Sequence, residues 1–125
     1  MLRVFGLVFA AKEHIAHVNE LAPVEDSLKF ERLVRQWRLE RGAMSSITEA
    51  ALSPAYQSII GMGQVAAPFI FAQLKSEGDE PDQWFWALKA ILGSESDPVR
   101  DEEREDFVRM AESWLAWARQ NGYAW

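Results

Sequence analysis

Residues 54–93 read PAYQSIIGMGQVAAPFIFAQLKSEGDEPDQWFWALKAILG, which is the densest apolar run of the chain. Its glycines and prolines divide this stretch into three consecutive predicted helices. Ser53 followed by Pro54 is typical of a helix start, because a hydroxyl can cap the first N–H groups and proline is tolerated at the first helical position. Gly61 is predicted to end that helix in a left-handed cap, and Gly63 to open the next one.

The second helix of the stretch is predicted to be buried on most sides. Its large apolar residues point in nearly every direction around the helix axis, which is typical of a buried helix. They are Val65, Phe69, Ile70, Phe71 and Leu74. Pro68 lies in the first turn, where proline is tolerated, and Gly78 follows the last apolar position. A third helix is predicted to start near residues 79–82 and to end at Gly93.

This third helix has one wide apolar face and one tryptophan outside it. The face is formed by Trp84, Phe85, Leu88, Ile91 and Leu92. Trp86 falls on the other side, among Asp82, Gln83 and Lys89. Two interpretations stay open: Trp86 packs beneath a neighbouring helix or the C-terminal tail, or it contacts a partner, since aromatic residues are enriched at interface centres.

The motifs of this region carry a resemblance to known helical proteins. The patterns IIGMGxxAAPxIxxxL and WFWALxAIxG resemble the helical pair of a HEAT-type repeat over residues 54–93. PAYQxIIGMG and WFWAL are also similar to motifs of an uncharacterised family of small all-helical bacterial proteins, over roughly residues 37–123. The resemblance implies a bacterial helical protein with a HEAT-like central hairpin, and it implies no chemistry.

Length and composition predict one folded domain. The chain has 125 residues, of which 49% are hydrophobic and 26% charged, so a packed core is expected. We divide it into an N-terminal segment over residues 1–25 and a helical body over residues 26–123. The absence of cysteine from the sequence excludes disulfides, thiolate metal sites and cysteine nucleophiles. It also fits a reducing compartment, so a cytoplasmic location is expected.

The N-terminal residues allow two structures. Residues 1–11, MLRVFGLVFAA, predict either a short strand or the start of a helix, and they are too short to span a bilayer. We expect this segment to be buried or to contact a second copy, with Val8 and Phe9 as candidate contact residues. His14 and His17 share one helix face, but a metal site requires a further convergent ligand. No metal and no cofactor are therefore predicted.

A helix is predicted from a cap at Asp26 or Ser27 to about Arg41. Its buried stripe is Phe30, Leu33, Val34 and Trp37, at the i, i+3, i+4, i+7 spacing. Its basic residues, Lys29, Arg32, Arg35, Arg38 and Arg41, recur every third position and wind around the axis. They indicate either a nucleic-acid patch or a solvated face with internal ion pairs, and Arg35 and Arg38 are candidate partner contacts.

The remaining sequence predicts two more helices. Ser46 and Glu49 have capping-box spacing for a short helix. Residues 94–106 are strongly acidic and are interpreted as a solvated loop and the first turns of the last helix. The buried face of that helix is predicted to comprise Phe107, Met110, Ala111, Trp114, Trp117 and Ala118. The helix ends at Asn121 and Gly122, after which Tyr123 and Trp125 fold back onto the body.

The in-phase positions of five helices predict the core. It comprises Phe30, Val34, Trp37, Ile60, Phe69, Leu74, Phe85, Leu88, Leu92, Phe107, Trp114 and Trp117. The fold class is therefore all-α, a compact bundle of about five to six helices. The segment Gly61-Met62-Gly63 lacks the G-x-G-x-x-G frame and the preceding strand of a nucleotide loop.

Charge and motifs favour a binding function over catalysis. The net charge of -6 and the pI of about 4.9 oppose nonspecific affinity for nucleic acid, so duplex binding is not expected. No catalytic residue, membrane contact or small-molecule ligand is predicted. The leading hypothesis is a protein–protein interaction module of the antitoxin, immunity or adaptor type, which contacts a partner protein or a second copy through the N-terminal segment and Trp86. The alternatives are a small enzyme with a site between helices, using Glu40, Glu49 or Tyr56, and a nucleic-acid-associated protein using the helix over residues 29–41.

Overall fold

The computed structural model describes residues 23–42 and 46–124, and these fold as a bundle of six α-helices. The helices are α1 (residues 23–40), α2 (Ile47–Ala51), α3 (Pro54–Gly61), α4 (Ala66–Glu77), α5 (Phe85–Leu92) and α6 (Phe107–Gln120). Short 3₁₀ turns lie at Gly63–Val65, Ser94–Ser96 and Asp101–Glu103. No strand occurs in these two ranges, so the predicted all-α bundle is confirmed. The predictions for Val8, Phe9, His14, His17 and Trp125 fall on residues outside the described part of the chain.

Two helix starts differ from their predictions. The chain is already helical at residue 23, so the predicted caps Asp26 and Ser27 lie inside α1. Helix α5 begins at Phe85, after the predicted start at residues 79–82. The Glu77 carboxylate accepts a hydrogen bond from the Asp82 main-chain N–H at 2.8 Å. Because side-chain acceptors compete with helical hydrogen bonds, this contact favours an extended turn before α5.

The start of α3 is capped by a distant residue. Ser53 occupies the N-cap position, but its hydroxyl donates to the Ala50 carbonyl at 2.9 Å and makes no cap. The Ala55 N–H instead donates to Glu40 Oε1 of α1 at 3.0 Å. A carboxylate at a helix N-terminus also interacts favourably with the helix dipole. This contact ties the end of α1 to the start of α3.

The predicted left-handed cap lies two residues later than expected. Gly61 is the last residue of α3, and Met62 after it has right-handed helical angles. Gly63 has the positive φ, at 68°, which glycine adopts without the steric cost of a Cβ atom. The short helix α2 agrees better with its prediction, because the Ser46 hydroxyl accepts a hydrogen bond from the Glu49 N–H.

Four aromatic rings form the centre of the core. The rings of Trp37 and Trp84 lie 5.0 Å apart, Trp37 and Tyr56 5.1 Å, and Phe30 and Trp84 5.9 Å. Such separations suit favourable ring–ring contacts. The Trp37 indole N–H donates to the Ala50 carbonyl at 2.9 Å, so α2 is fastened to α1. Residues from α1, α3 and the start of α5 therefore meet in one cluster.

Most of the predicted core is confirmed. Phe30, Val34, Trp37, Leu74, Phe85, Leu88 and Trp114 are buried, and Ile60, Phe69, Leu92, Phe107 and Trp117 pack against them partly buried. Val65 differs from its prediction, because about half of its surface is exposed. Tyr56 and Ile59 are fully buried although the predicted core omits them. Their helix is short, so its periodicity is a weak guide to its buried face.

The last helix packs on α4 and is closed by the C-terminal tail. The Phe71 ring lies 5.1 Å from the ring of Tyr123 and 6.3 Å from that of Trp117. Met110, Ala111, Trp114 and Ala118 are buried on the predicted face of α6. The chain turns back after Gly122, which confirms the predicted return of Tyr123 onto the body.

The acidic segment before α6 is folded by ion pairs and hydrogen bonds, so the prediction of a solvated loop is wrong for two of its carboxylates. Asp97 has a side chain only 6% exposed, which lies 3.1 Å from Arg104 Nη1. Glu103 is buried and accepts hydrogen bonds from the Ser113 hydroxyl at 2.9 Å and the Arg100 N–H at 3.0 Å. Helix α6 begins only after this segment, with Asp106 as its N-cap.

Glu103 should make the stability of the protein dependent on pH. Its pKa is lowered, first by the hydrogen bond from the Arg100 N–H and next by that from the Ser113 hydroxyl. A carboxyl with a lowered folded-state pKa stabilises the fold above its unfolded pKa of about 4.3, and this contribution is lost as the pH falls through the folded-state pKa. Glu103→Gln should therefore lower the melting temperature near neutral pH, and the difference from wild type should shrink below about pH 4.

Thermal unfolding of both proteins across the pH range measures this effect. The control is Glu102→Gln, a change in an exposed carboxylate that should leave the pH profile unaltered. A wild-type to Glu103→Gln difference that stays constant from neutral to acidic pH would show that the Glu103 charge is not what stabilises this turn.

Candidate functional site

An apolar groove of about 540 Å³ lies between α2, α5 and the start of α6. We call it the α5 groove. Its apolar lining comprises Ile47, Ala51, Phe85, Trp86, Ala90, Phe107 and Met110. Its polar lining comprises Gln83, Lys89, Ser94 and Arg104.

Trp86 and Ile47 are the exposed large apolar residues of this groove, and Trp86 is the larger of the two. It is 43% exposed, whereas Trp84 two residues earlier is fully buried. Two helical residues are separated by about 200° around the axis, so neighbouring tryptophans face the core and the solvent in turn. Trp86 is therefore only partly covered by the described residues, and both interpretations stay open: packing beneath a neighbouring helix or the C-terminal tail, and contact with a partner. The Trp86 indole stands at the edge of a space that could receive another apolar side chain.

The two cations of the groove differ in how firmly they are held. Arg104 contacts Asp97 at 3.1 Å and donates to the Val99 carbonyl at 3.1 Å. Lys89 Nζ lies 3.9 Å from the same Asp97 carboxylate, beyond hydrogen-bond distance, and its side chain is 42% exposed. Arg104 therefore fixes the loop before α6. The Lys89 side chain makes no hydrogen bond within the described residues, so its ammonium can donate to a further acceptor.

Gln83 lines the groove, and its main-chain and side-chain polar groups differ in how they are paired. Its N–H donates to Asp82 at 2.9 Å, and its carbonyl accepts from the Tyr56 hydroxyl at 2.9 Å. Its side-chain oxygen is buried and has no hydrogen-bond partner among residues 23–42 and 46–124. A buried acceptor without a donor is unfavourable, since it loses water and gains nothing in return. Gln83 also lines a second, more polar groove together with Arg38 and Arg41.

The arginines predicted on α1 divide into engaged and exposed residues. Arg38 pairs with Glu77 at 3.0 Å and lies 3.6 Å from Asp82. Arg41 also pairs with Asp82, and its guanidinium stacks 4.2 Å from the centre of the Trp37 ring. Arg35 is exposed and lines neither of the two grooves. Ion pairs within the protein therefore account for Arg38 and Arg41, the last two residues of this series.

The residues considered for catalysis have structural roles or stand apart. Tyr56 is fully buried, and its hydroxyl also accepts a hydrogen bond from the Ala87 N–H at 2.8 Å. Burial raises the pKa of Tyr56, so its hydroxyl stays protonated. Glu40 is used as the cap of α3, and it accepts from Gln36 at 2.9 Å. Glu49 is exposed on α2. Glu40 and Tyr56 are therefore engaged in hydrogen bonds that hold the helices together.

Residues 23–42 and 46–124 hold neither a metal-binding cluster nor a membrane-spanning helix. No group of three or more histidine, aspartate or glutamate side chains in these ranges is arranged to hold a metal ion. None of the helices described is both long enough and apolar enough to cross a membrane.

The sequence predicted that Trp86 lies outside the apolar face of α5, but it did not predict the groove beside this residue. The phase of Trp86 on its helix indicated that it lies outside the apolar face, and this is confirmed. Gln83 and Met110 line the groove without any signal in the sequence that could have placed them together, since 14 residues separate the end of α5 from the start of α6. Comparison of the chain with protein-family models, with curated proteins and with solved structures gives no match. The resemblances to a HEAT-type repeat and to a family of small bacterial proteins therefore stay predictions.

Proposed function

We propose that this protein is a small interaction module that binds another protein through the α5 groove, with Trp86 as the central contact. The observation that carries the proposal is the exposed Trp86 indole beside an apolar groove of about 540 Å³. Exposed tryptophans next to apolar pockets are typical of the few residues that dominate binding energy. Large apolar side chains on the surface of a globular protein commonly mark interaction sites.

The charge of the chain favours a partner of a different sequence over a second copy. At a net charge of -6, two copies repel each other, and such a charge favours the monomer in solution. The size, the acidity and the helical fold are shared with adaptor, antitoxin and immunity proteins, and the assignment to that class rests on this analogy. A nucleic-acid function is less favoured, because Arg38 and Arg41 are paired with Glu77 and Asp82.

Replacing Trp86 by alanine should abolish partner binding while leaving the fold intact. Loss of a central tryptophan commonly costs about 2 kcal/mol or more of binding energy, which is roughly a 30-fold loss of affinity. The effect on stability should be small because Trp86 is exposed. Affinity capture from a cell lysate, quantified for wild type and variant, should show proteins that are retained by the first and lost by the second.

Leu39→Ala serves as the control, because Leu39 is 83% exposed on α1 and does not line the groove. It should retain the proteins that wild type retains. Light scattering across a dilution series tests self-association in parallel. If Trp86→Ala retains every captured protein with unchanged affinity, the α5 groove is not the binding surface.

A further inference from the structure

The charged residues that line the α5 groove are basic, whereas the chain as a whole is acidic. The sequence holds 19 acidic and 13 basic side chains, yet the described lining of the groove includes two cations and no carboxylate. We infer that the partner segment is acidic as well as apolar, and that it places a carboxylate against Lys89 while an apolar side chain packs on Trp86. This inference rests on the proposed function and specifies the chemistry of the partner.

Lys89 is the cation that a partner carboxylate would meet. Trp86 and Lys89 are three residues apart on α5, so they occupy the same face of the helix. Lys89 Nζ is 3.9 Å from Asp97, whereas Arg104 contacts that carboxylate at 3.1 Å and is also bonded to the Val99 carbonyl. Arg104 thus largely satisfies Asp97, and the Lys89 ammonium can turn to a second anion without leaving Asp97 unpaired.

A peptide segment with one large apolar side chain and a nearby aspartate or glutamate meets both groups. Its apolar side chain packs on the Trp86 indole, and its carboxylate pairs with the Lys89 ammonium. Gln83 lines the same groove, but its side-chain oxygen is buried, so the free groove does not present this atom to a ligand.

Complementary charge should contribute to specificity more than to raw affinity. Lys89 is partly exposed, so its attraction for a carboxylate is screened by water and salt. We expect a preference of about three- to tenfold for an acidic over a neutral segment, and we expect this preference to weaken as salt is added. Trp86 should contribute the larger, salt-independent part through burial of its ring.

Selection from a random peptide display library tests the inference with a probe of defined composition. The full-length protein is immobilised as wild type, Lys89→Glu, Lys75→Glu and Trp86→Ala, each verified as folded by circular dichroism. Lys75→Glu is the matched control, because it makes the same charge change at an exposed position of α4 that does not line the groove. Wild type and Lys75→Glu should enrich peptides that combine large apolar residues with aspartate or glutamate.

Lys89→Glu should lose the enrichment for acidic residues and should instead select lysine or arginine. One selected acidic peptide and its Glu→Gln form are then titrated against each protein, where the wild-type preference should vanish in Lys89→Glu. Enrichment without any charge bias, or an acidic bias that persists in Lys89→Glu, would overturn this inference and leave the proposed function standing. If Trp86→Ala selects the same peptides as wild type, the proposed function itself is wrong.

Discussion

Replacing Trp84 by alanine is expected to lower the free energy of unfolding by about 3–5 kcal/mol, the range found for large-to-small changes of buried aromatic residues. Trp84 is fully buried, and its ring lies 5.0 Å from Trp37 and 6.4 Å from Tyr56. Its indole N–H also donates to the Glu77 carboxylate at 3.1 Å. The alanine variant would leave a cavity at the junction of three helices and remove this hydrogen bond.

Urea denaturation of wild type, Trp84→Ala and Trp86→Ala measures the prediction with an internal control. The two substitutions make the same chemical change two residues apart, so their difference isolates the effect of burial. Trp86→Ala should change the free energy of unfolding by no more than about 1 kcal/mol, because the side chain is partly exposed. Similar losses for the two variants would contradict the burial assigned to this pair of tryptophans.

Glu77→Gln is expected to lower the free energy of unfolding by about 1.5–3 kcal/mol, the range for hydrogen bonds that involve a charged group. The Glu77 side chain is only 10% exposed. Its two oxygens accept hydrogen bonds from Arg38, Gln73, Trp84 and the Asp82 N–H. Glutamine replaces one of these oxygens with an NH₂ group, which would face donors and leave them unsatisfied.

The control for Glu77→Gln is Glu80→Gln, which removes the same charge at an exposed position three residues later. Its expected effect is within about 0.5 kcal/mol. A double-mutant cycle with Arg38→Ala then isolates the ion pair between α1 and the end of α4. Equal stability of Glu77→Gln and wild type would mean that the turn before α5 does not depend on this carboxylate.

Much of the fold follows from local patterns in the sequence. The stripe Phe30, Leu33, Val34 and Trp37 is buried as its spacing predicts, and the apolar face of α6 agrees as well. Gly78 and Gly93 terminate α4 and α5 as expected. These features depend on residues three and four positions apart, or on the backbone freedom of one glycine, so a reading of the chain suffices to find them. The position of Trp86 outside the apolar face of α5 likewise follows from the spacing of nearby residues.

Other features were decided only by tertiary structure. Glu40 caps a helix 15 residues away, and Tyr56 buries its hydroxyl because Gln83 and Ala87, at sequence separations of 27 and 31, supply its partners. Glu103 is buried in a segment whose composition indicates a solvated loop, because Ser113 and the Arg100 N–H meet its carboxylate. In each case a polar group finds a partner that no local spacing reveals.

The candidate site divides in the same way. The sequence alone determines that Trp86 lies on the polar arc of α5, since the angle between helical residues is set by the backbone. Only the tertiary structure determines that α2 and α6 place Ile47, Phe107 and Met110 beside it and leave a groove. The physical reason is that helix periodicity is a local property of the hydrogen-bonded backbone. A groove, by contrast, depends on the distance at which separate helices pack, and that distance is set by side chains far apart in the chain.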